Sequence, residues 1–256
     1  MKSKYLTKML CYLKSYTTGR NVESYLNRGI AKNKLGNHTG AIEEFNRALE
    51  IDDECALAYF NRGIAKRMLG NYKRAIDDCD KAVRYDPHFA LAYMYRGIAK
   101  NKLGNFKEAI EDYDKAIEID PQFVEAYMNR GVAKGKLEDY RGAVEDGNKT
   151  IELDPKCALA YYNRGVAKGK LGDDHGAEKD YNKAIELNPR DAYTFVSRGL
   201  TKGNLGDLKA AISNYDKAIK LDPHFVLAYM YRGVARNKLG DEMGACVDWR
   251  KAGELR

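Results

Sequence analysis

The sequence predicts an all-α solenoid, built of helix–turn–helix hairpins stacked one on the next. Three observations predict it. All five prolines, Pro87, Pro121, Pro155, Pro189 and Pro223, lie 34 residues apart. Seven glycines from Gly29 to Gly233 keep the same interval with no insertion. Residues 86–105, DPHFALAYMYRGIAKNKLGN, recur at 222–241 as DPHFVLAYMYRGVARNKLGD, four periods on, with sixteen of twenty positions unchanged. A fixed period of this size marks a repeat array, because one hairpin cannot bury its apolar face alone.

The repeats run 22–55, 56–89, 90–123, 124–157, 158–191, 192–225 and 226–256, after a basic extension, residues 1–21. Within each repeat the places are numbered 1 to 34. The first helix carries an aromatic ring at place 4 (Tyr25, Tyr59, Tyr93, Tyr127, Tyr161, Phe195, Tyr229) and Gly at place 8. A turn follows: Gly at place 15 in all repeats but the fourth, which has Glu138, then Asn or Asp at place 16. Gly before Asx is one helix closing on a left-handed residue and the next opening on an N-cap. The second helix has Ala at place 20 and mostly a ring at place 24 (Phe45, Tyr113, Tyr181, Tyr215, Trp249). It ends at the Asp-Pro step of places 31–32 (Asn-Pro at Asn188), since the residue before proline avoids the α region. The small pair at places 8 and 20 lets the two helices approach closely, and the rings fill the space beside it.

This aromatic–Gly–Ala–aromatic–Ala–Pro pattern at places 4, 8, 20, 24, 27 and 32 resembles the tetratricopeptide repeat over residues 22–256. The resemblance implies a right-handed superhelix, with first helices lining a concave groove and second helices forming the convex back. It also implies a non-enzymatic scaffold for protein–protein interaction. Two repeats depart from the pattern. The fourth has Glu138 for the turn glycine, Gly147 for the place-24 ring and Thr150 for the place-27 Ala; the fifth has Asp174 and Glu178 at usually apolar places. A softer stretch of the array is expected there.

Two basic rows are candidates for binding. Place 7 is always Arg (Arg28, Arg62, Arg96, Arg130, Arg164, Arg198, Arg232), and place 11 is always Lys or Arg, from Lys32 to Arg236. Such rows can follow a phosphate backbone, which makes RNA or another polyanion the alternative partner. The helical period instead points both rows towards the second-helix layer. There place 23 is acidic in six repeats: Glu44, Asp78, Asp112, Asp146, Asp180 and Asp248. Structural ion pairs of bidentate Arg–carboxylate geometry are the expected use.

The groove is expected to hold a peptide segment of an unidentified protein partner. At place 6 stand Asn27, Asn61, Asn129 and Asn163, with Tyr95, Ser197 and Tyr231 between them. A row of Asn resembles the ladder with which helical-repeat proteins hold extended peptides, because a carboxamide offers a peptide bond both a donor and an acceptor. Place 5 adds apolar groups (Phe60, Met94, Met128, Tyr162, Met230), either facing the groove or packing one first helix on another. Place 2 adds Leu57, Leu91, Leu159, Tyr193 and Leu227. The family's carboxylate clamp is missing, since place 5 is never Lys and place 9 is always Ile, Val or Leu. Gly135, Gly169 and Gly203 hold place 12 of three successive first helices, where glycine costs roughly 1 kcal/mol against Ala. Close approach of a partner's backbone and simple copying during duplication both account for them.

Composition bounds the remaining classes. The net charge is +7, but residues 1–21 hold five bases and no acid, leaving 39 bases against 37 acids in the rest. The excess charge therefore belongs to the extension, not to the array. Five cysteines without a C-x-x-C pair read as small thiols of a reducing compartment, so a cytoplasmic location is expected. The four histidines have no ligand-like spacing, and neither a nucleophile–base set nor a Gly-rich phosphate loop appears. No enzyme, metal or cofactor is expected. No apolar run approaches the ~18–20 residues of a membrane span. The extension is basic and amphipathic, expected to cap the first hairpin, with membrane contact through residues 1–20 as the other use. The uncovered last repeat, with Trp249, allows self-association, so a homo-oligomer or self-assembling platform is a third reading.

Overall fold

The structure, a computed structural model, describes residues 21–255. The expected roles of residues 1–20 lie outside the described residues. Among those described there are fourteen helices and no strand, and the chain divides into two compact units, Met1–Ala126 and Tyr127–Arg256.

The first unit holds α1 (21–34), α2 (His38–Ile51), α3 (Ala56–Met68), α4 (Tyr72–Tyr85), α5 (Ala90–Lys102) and α6 (Phe106–Ile119). Its core is a run of alanines at 0 % exposure, Ala41, Ala48, Ala58, Ala82 and Ala92, closed by Phe45, Tyr59 and Phe60. The second unit holds most of α7 (Val124–Lys136), then α8 (Tyr140–Leu153), α9 (Ala158–Lys170) and α10 (Asp174–Leu187). It continues through α11 (Ala192–Asn204), α12 (Leu208–Leu221), α13 (Val226–Lys238) and α14 (Glu242–Glu254). Ala211, Ala218 and Ala228 sit at its centre with Phe195, Tyr215 and Phe225.

Local chemistry sets each boundary. Glycines at place 15 take φ between 77° and 85°, the left-handed region where a side chain is costly. Glu138 occupies the same conformation at φ 63°, the only non-glycine to do so among the described residues. Place 16 is the N-cap throughout, but its side chain accepts the capping bond only where place 19 is Gly or Ala: Asn37 from Gly40, Asp139 from Gly142, Asp173 from Gly176, Asp207 from Ala210 and Asp241 from Gly244. Asn71 and Asn105, followed at place 19 by Arg74 and Glu108, make no such bond. The Asp or Asn before each proline ends its helix and then turns the chain, as Asp86 Oδ1 accepts from His88 N at 3.0 Å.

Close approach inside a hairpin rests on place 8. A Cβ on Gly29, Gly97, Gly165, Gly199 or Gly233 would meet the place-24 ring of the same repeat at 2.4 to 2.8 Å. The glycine is therefore what admits the ring.

Candidate functional site

The basic rows lie against the second helices. In the first unit, Arg28 Nε donates to Glu44 at 3.0 Å, and Lys32 Nζ to the same carboxylate at 2.7 Å. Asp78 takes Arg62 Nε at 3.0 Å, Arg62 Nη2 at 2.7 Å and Lys66 Nζ at 2.7 Å. Asp112 takes Arg96 and Lys100 at 2.5 and 2.8 Å. In the second unit Asp146 receives Arg130 and Lys134, Asp180 receives Arg164 and Lys168, and Asp248 receives Arg232 and Arg236, all within 3.0 Å. All six of these carboxylates are buried.

Four of these arginines have a further partner that the sequence reading missed. The remaining Nη1 reaches back to place 25 of the preceding repeat: Arg62 to Asn46 at 2.7 Å, Arg96 to Asp80 at 2.7 Å, Arg164 to Asn148 at 2.8 Å, Arg232 to Asp216 at 2.6 Å. One guanidinium thus pins its own hairpin and staples it to the one before. The signal was present, since place 25 is Asn or Asp in six repeats. The planes also lie over the place-4 rings, with Arg96 5.2 Å from the Tyr93 centroid and Arg164 5.6 Å from Tyr161. Burial acts to lower the Arg96 and Arg232 pKa values, but the carboxylates of Asp112 and Asp80, and of Asp248 and Asp216, outweigh it and hold both above the ordinary arginine value.

The sixth repeat breaks the lattice. Place 23 is Asn214, 5 % exposed, whose Oδ1 accepts from Arg198 Nε at 2.7 Å; Arg198 Nη1 goes to Asn182 Oδ1 at 2.8 Å. Both partners are neutral, and burial lowers the Arg198 pKa against the weaker pull of Glu178. Lys202 turns to Glu178 instead, at 2.7 Å.

On the first-helix face, place 5 divides between the two uses expected of it. Phe60 and Met94 are only 6 % and 5 % exposed, so they pack rather than face solvent; the Phe60 ring lies 4.7 Å from Phe89 and 5.4 Å, edge-on, from Tyr95. Leu26 and Val196 are buried likewise, whereas Met128, Tyr162 and Met230 remain half-buried. Tyr95 and Tyr231 are half-buried too, Tyr231 stacked 6.1 Å from Tyr215. The solvent-facing apolar groups are those of place 2: Leu57 and Leu91 in the first unit, Leu159, Tyr193 and Leu227 in the second, all between 42 and 62 % exposed. Places 2 and 6 share a helix face by the i, i+4 rule, so Leu57 and Leu159 sit beside Asn61 and Asn163, and Leu91, Tyr193 and Leu227 beside Tyr95, Ser197 and Tyr231. Asn27 is exposed, and Asn61, Asn129 and Asn163 are half-buried. Asn61 Nδ2 is folded back onto Leu57 O at 2.8 Å, leaving its carbonyl outward. Asn163 Nδ2 is buried without a hydrogen-bond partner.

In the second unit, a cavity of about 330 Å³ lies among α7, α8 and α9, lined by Met128, Tyr162, Asn163 and Gly147 with others. Among the described residues no cluster of His, Cys, Asp and Glu suits a metal ion, and no helix is long and apolar enough to cross a membrane.

Family models described as TPR repeat and tetratricopeptide repeat match residues 22–55, 56–89, 97–138, 124–157, 158–191 and 203–240. None of the curated proteins matches. Among solved structures, a tetratricopeptide repeat protein from Parabacteroides merdae is 20 % identical with a TM-score of 0.73, over 92 % of this chain and 93 % of that one. MamA is 31 % identical over 62 % of this chain and 93 % of its own, with a TM-score of 0.58. YrrB, described as a TPR protein with an unusual peptide-binding site, is 26 % identical over 72 % and 95 %, with a TM-score of 0.61.

Proposed function

The chain belongs to the tetratricopeptide repeat family, and from that premise we propose that it holds an extended segment of a protein partner on the face of its first helices. Proteins of this family serve in general as non-enzymatic scaffolds for protein–protein interaction. The observation that carries the finer reading is the exposure at place 2: Leu57 and Leu159, 44 and 50 % exposed, stand one turn before the place-6 amides of Asn61 and Asn163. Apolar groups at one repeat interval take the partner's side chains, while the amides take its backbone. The likeness to YrrB supports a peptide as ligand. The cations that a phosphate track would need are largely committed elsewhere, in pairs with buried carboxylates within the array.

The test is capture from nuclease-treated lysate, comparing wild type with Leu57→Ser/Leu91→Ser/Leu227→Ser. These side chains are exposed, so the triple variant keeps its fold. Partners retained by wild type at high salt and lost by the variant are expected. Identical captures from both proteins, or capture abolished by salt or nuclease, would refute the reading.

A further inference from the structure

The fourth repeat is built without the ring that five of its siblings place between their two helices. In those five the place-8 glycine faces Phe45, Tyr113, Tyr181, Tyr215 or Trp249 at under 3 Å from a would-be Cβ. At Gly131 the counterpart is Gly147, and a Cβ there would meet only Asp146 Cβ at 3.2 Å and Ala143 O at 3.5 Å. The second repeat also lacks the ring, but there the Cys79 side chain stands in its place, its Sγ 3.3 Å from a would-be Cβ on Gly63. In the fourth repeat the Arg164 stem lies against Gly147, 2.9 Å from a would-be Cβ, but no ring enters, and a cavity of about 330 Å³ remains. That volume falls at the lower end of ligand pockets, which run from ~300 Å³.

Its walls state what it would take. Met128, Val132, Tyr162 and Val166 make it apolar, and it reaches the place-6 amide of Asn163 on the partner-binding face. Asn163 lines the cavity, and its Nδ2, closed off from solvent behind that wall, has no hydrogen-bond partner. An orphaned buried amide costs about 1–3 kcal/mol and is relieved by whatever supplies its partner. A phenolic hydroxyl both donates and accepts, so it can satisfy either end of the carboxamide once the Asn163 side chain turns into the cavity. Lys136 and Lys170 line the same cavity and are exposed. Neither makes an ion pair with another described residue, unlike Lys134 and Lys168 of the lattice. Unpaired cations beside an apolar recess favour carboxylates flanking the inserted group.

We propose that this cavity is the anchor pocket of the first-helix face, and that it takes one tyrosine side chain of the bound segment, flanked by acidic residues. The proposal rests on the peptide-binding reading above and names its specificity. The partner's ring occupies the space that the other repeats fill from within, so the omission at Gly147 converts a packing position into a binding position.

The test uses the full chain, titrated by NMR with p-cresol and with the capped peptides Glu-Tyr-Glu and Glu-Ala-Glu. Saturable p-cresol binding is expected, with the Tyr peptide at least about tenfold tighter than the Ala peptide. Gly135→Phe blocks the pocket, because Gly135 lines it and a Cβ there meets nothing within 4 Å; loss of both ligands is expected. Gly135→Leu serves where the larger ring perturbs folding. Gly203→Phe occupies the same place in the sixth repeat, whose Tyr215 fills its own interior, and should bind as wild type. No saturable p-cresol binding, or undiminished binding in both Gly135 variants, overturns the pocket. Binding of p-cresol with no preference for the Tyr peptide overturns its assignment to a partner's side chain. Either failure leaves the peptide-binding reading standing, since that is tested at Leu57, Leu91 and Leu227, none of which touches the cavity.

Discussion

Restoring a carboxylate to the sixth repeat, by Asn214→Asp, should stabilise the array. In the second repeat, Asp78 accepts three charge-assisted bonds, from Arg62 Nε, Arg62 Nη2 and Lys66 Nζ. Asn214 accepts one, from Arg198 Nε at 2.7 Å, and spends its Nδ2 on Ala210 O, also at 2.7 Å. A hydrogen bond to a charged group contributes about 1.5–3 kcal/mol against about 0.5–1.5 for a neutral one. The existing Arg198 bond therefore gains about 1 kcal/mol on ionisation, and the new carboxylate oxygen accepts a second charged bond from Nη2. Against this stand the lost Ala210 bond, about 1 kcal/mol, and the desolvation of a new carboxylate. The net is about 1 kcal/mol of stabilisation, or about 2–4 °C in Tm for a chain of this size. Urea and thermal melts followed by circular dichroism read it. The decisive comparison repeats the substitution in an Arg198→Met background, where the carboxylate is buried with no guanidinium to meet it. There it should destabilise by about 2 kcal/mol, giving a coupling of about 3 kcal/mol. A lower midpoint in the Arg198 background, or equal effects in both, would refute the view that the arginine row is held by carboxylate charge.

Glu138→Gly should raise stability by about 1 kcal/mol, because glutamate there holds a left-handed conformation that its siblings give to glycine; an unchanged or lower urea midpoint would count against it. Amides of α8 should exchange faster than those of α12, since α8 borders the cavity and follows the strained turn; hydrogen–deuterium exchange measures this, and equal protection would contradict it. Burial pushes the Cys79 thiol up to about 12, while Cys246 is exposed; iodoacetamide mapping at mildly alkaline pH should label Cys246 readily and Cys79 only after unfolding. The Lys32 ammonium, opposed by burial and aided by Arg28, holds Glu44 below its ordinary value of 4.5. A carboxyl lowered on folding stabilises above its unfolded pKa and loses that contribution as pH falls through the folded one. Stability should therefore drop below about pH 4.5, with a smaller drop in Glu44→Gln.

The period, the helix limits and the arginine rows could be read from the sequence because each depends on chemistry within one repeat. A left-handed turn asks for glycine, an N-cap asks for Asx, and an i, i+4 face gathers Arg and Lys opposite place 23. What escaped the reading depends on neighbours. Phe60 and Met94 occupy the same place as Met128 and Met230, yet only the first pair is buried, because the adjoining repeat decides how much room a place-5 side chain has. The same holds for Asn46, Asp80, Asn148 and Asp216, which look like ordinary surface residues until the next hairpin brings an arginine to them.

A repeat array makes departures from its own rule informative, because every sibling shows what the local chemistry would otherwise require. The fourth repeat departs three times within thirteen residues: Glu138 in a left-handed turn, Gly147 in place of a ring, and Thr150 in place of Ala. Thr150 resolves its own departure, donating its buried hydroxyl to Asp146 O at 2.8 Å. Glu138 remains uncompensated in backbone conformation, and Gly147 is only partly compensated in packing, by the Arg164 stem that lies against it. Random drift would spread such costs over all seven repeats, and the sixth repeat shows how drift looks: Asn214 replaces an acid, and Lys202 simply re-pairs with Glu178. At the fourth repeat the stem of Arg164 comes up against Gly147, 2.9 Å from a would-be Cβ, and the cavity of about 330 Å³ still remains. Proteins keep such local violations where function uses them. The group that completes the fourth repeat is therefore to be sought outside this chain.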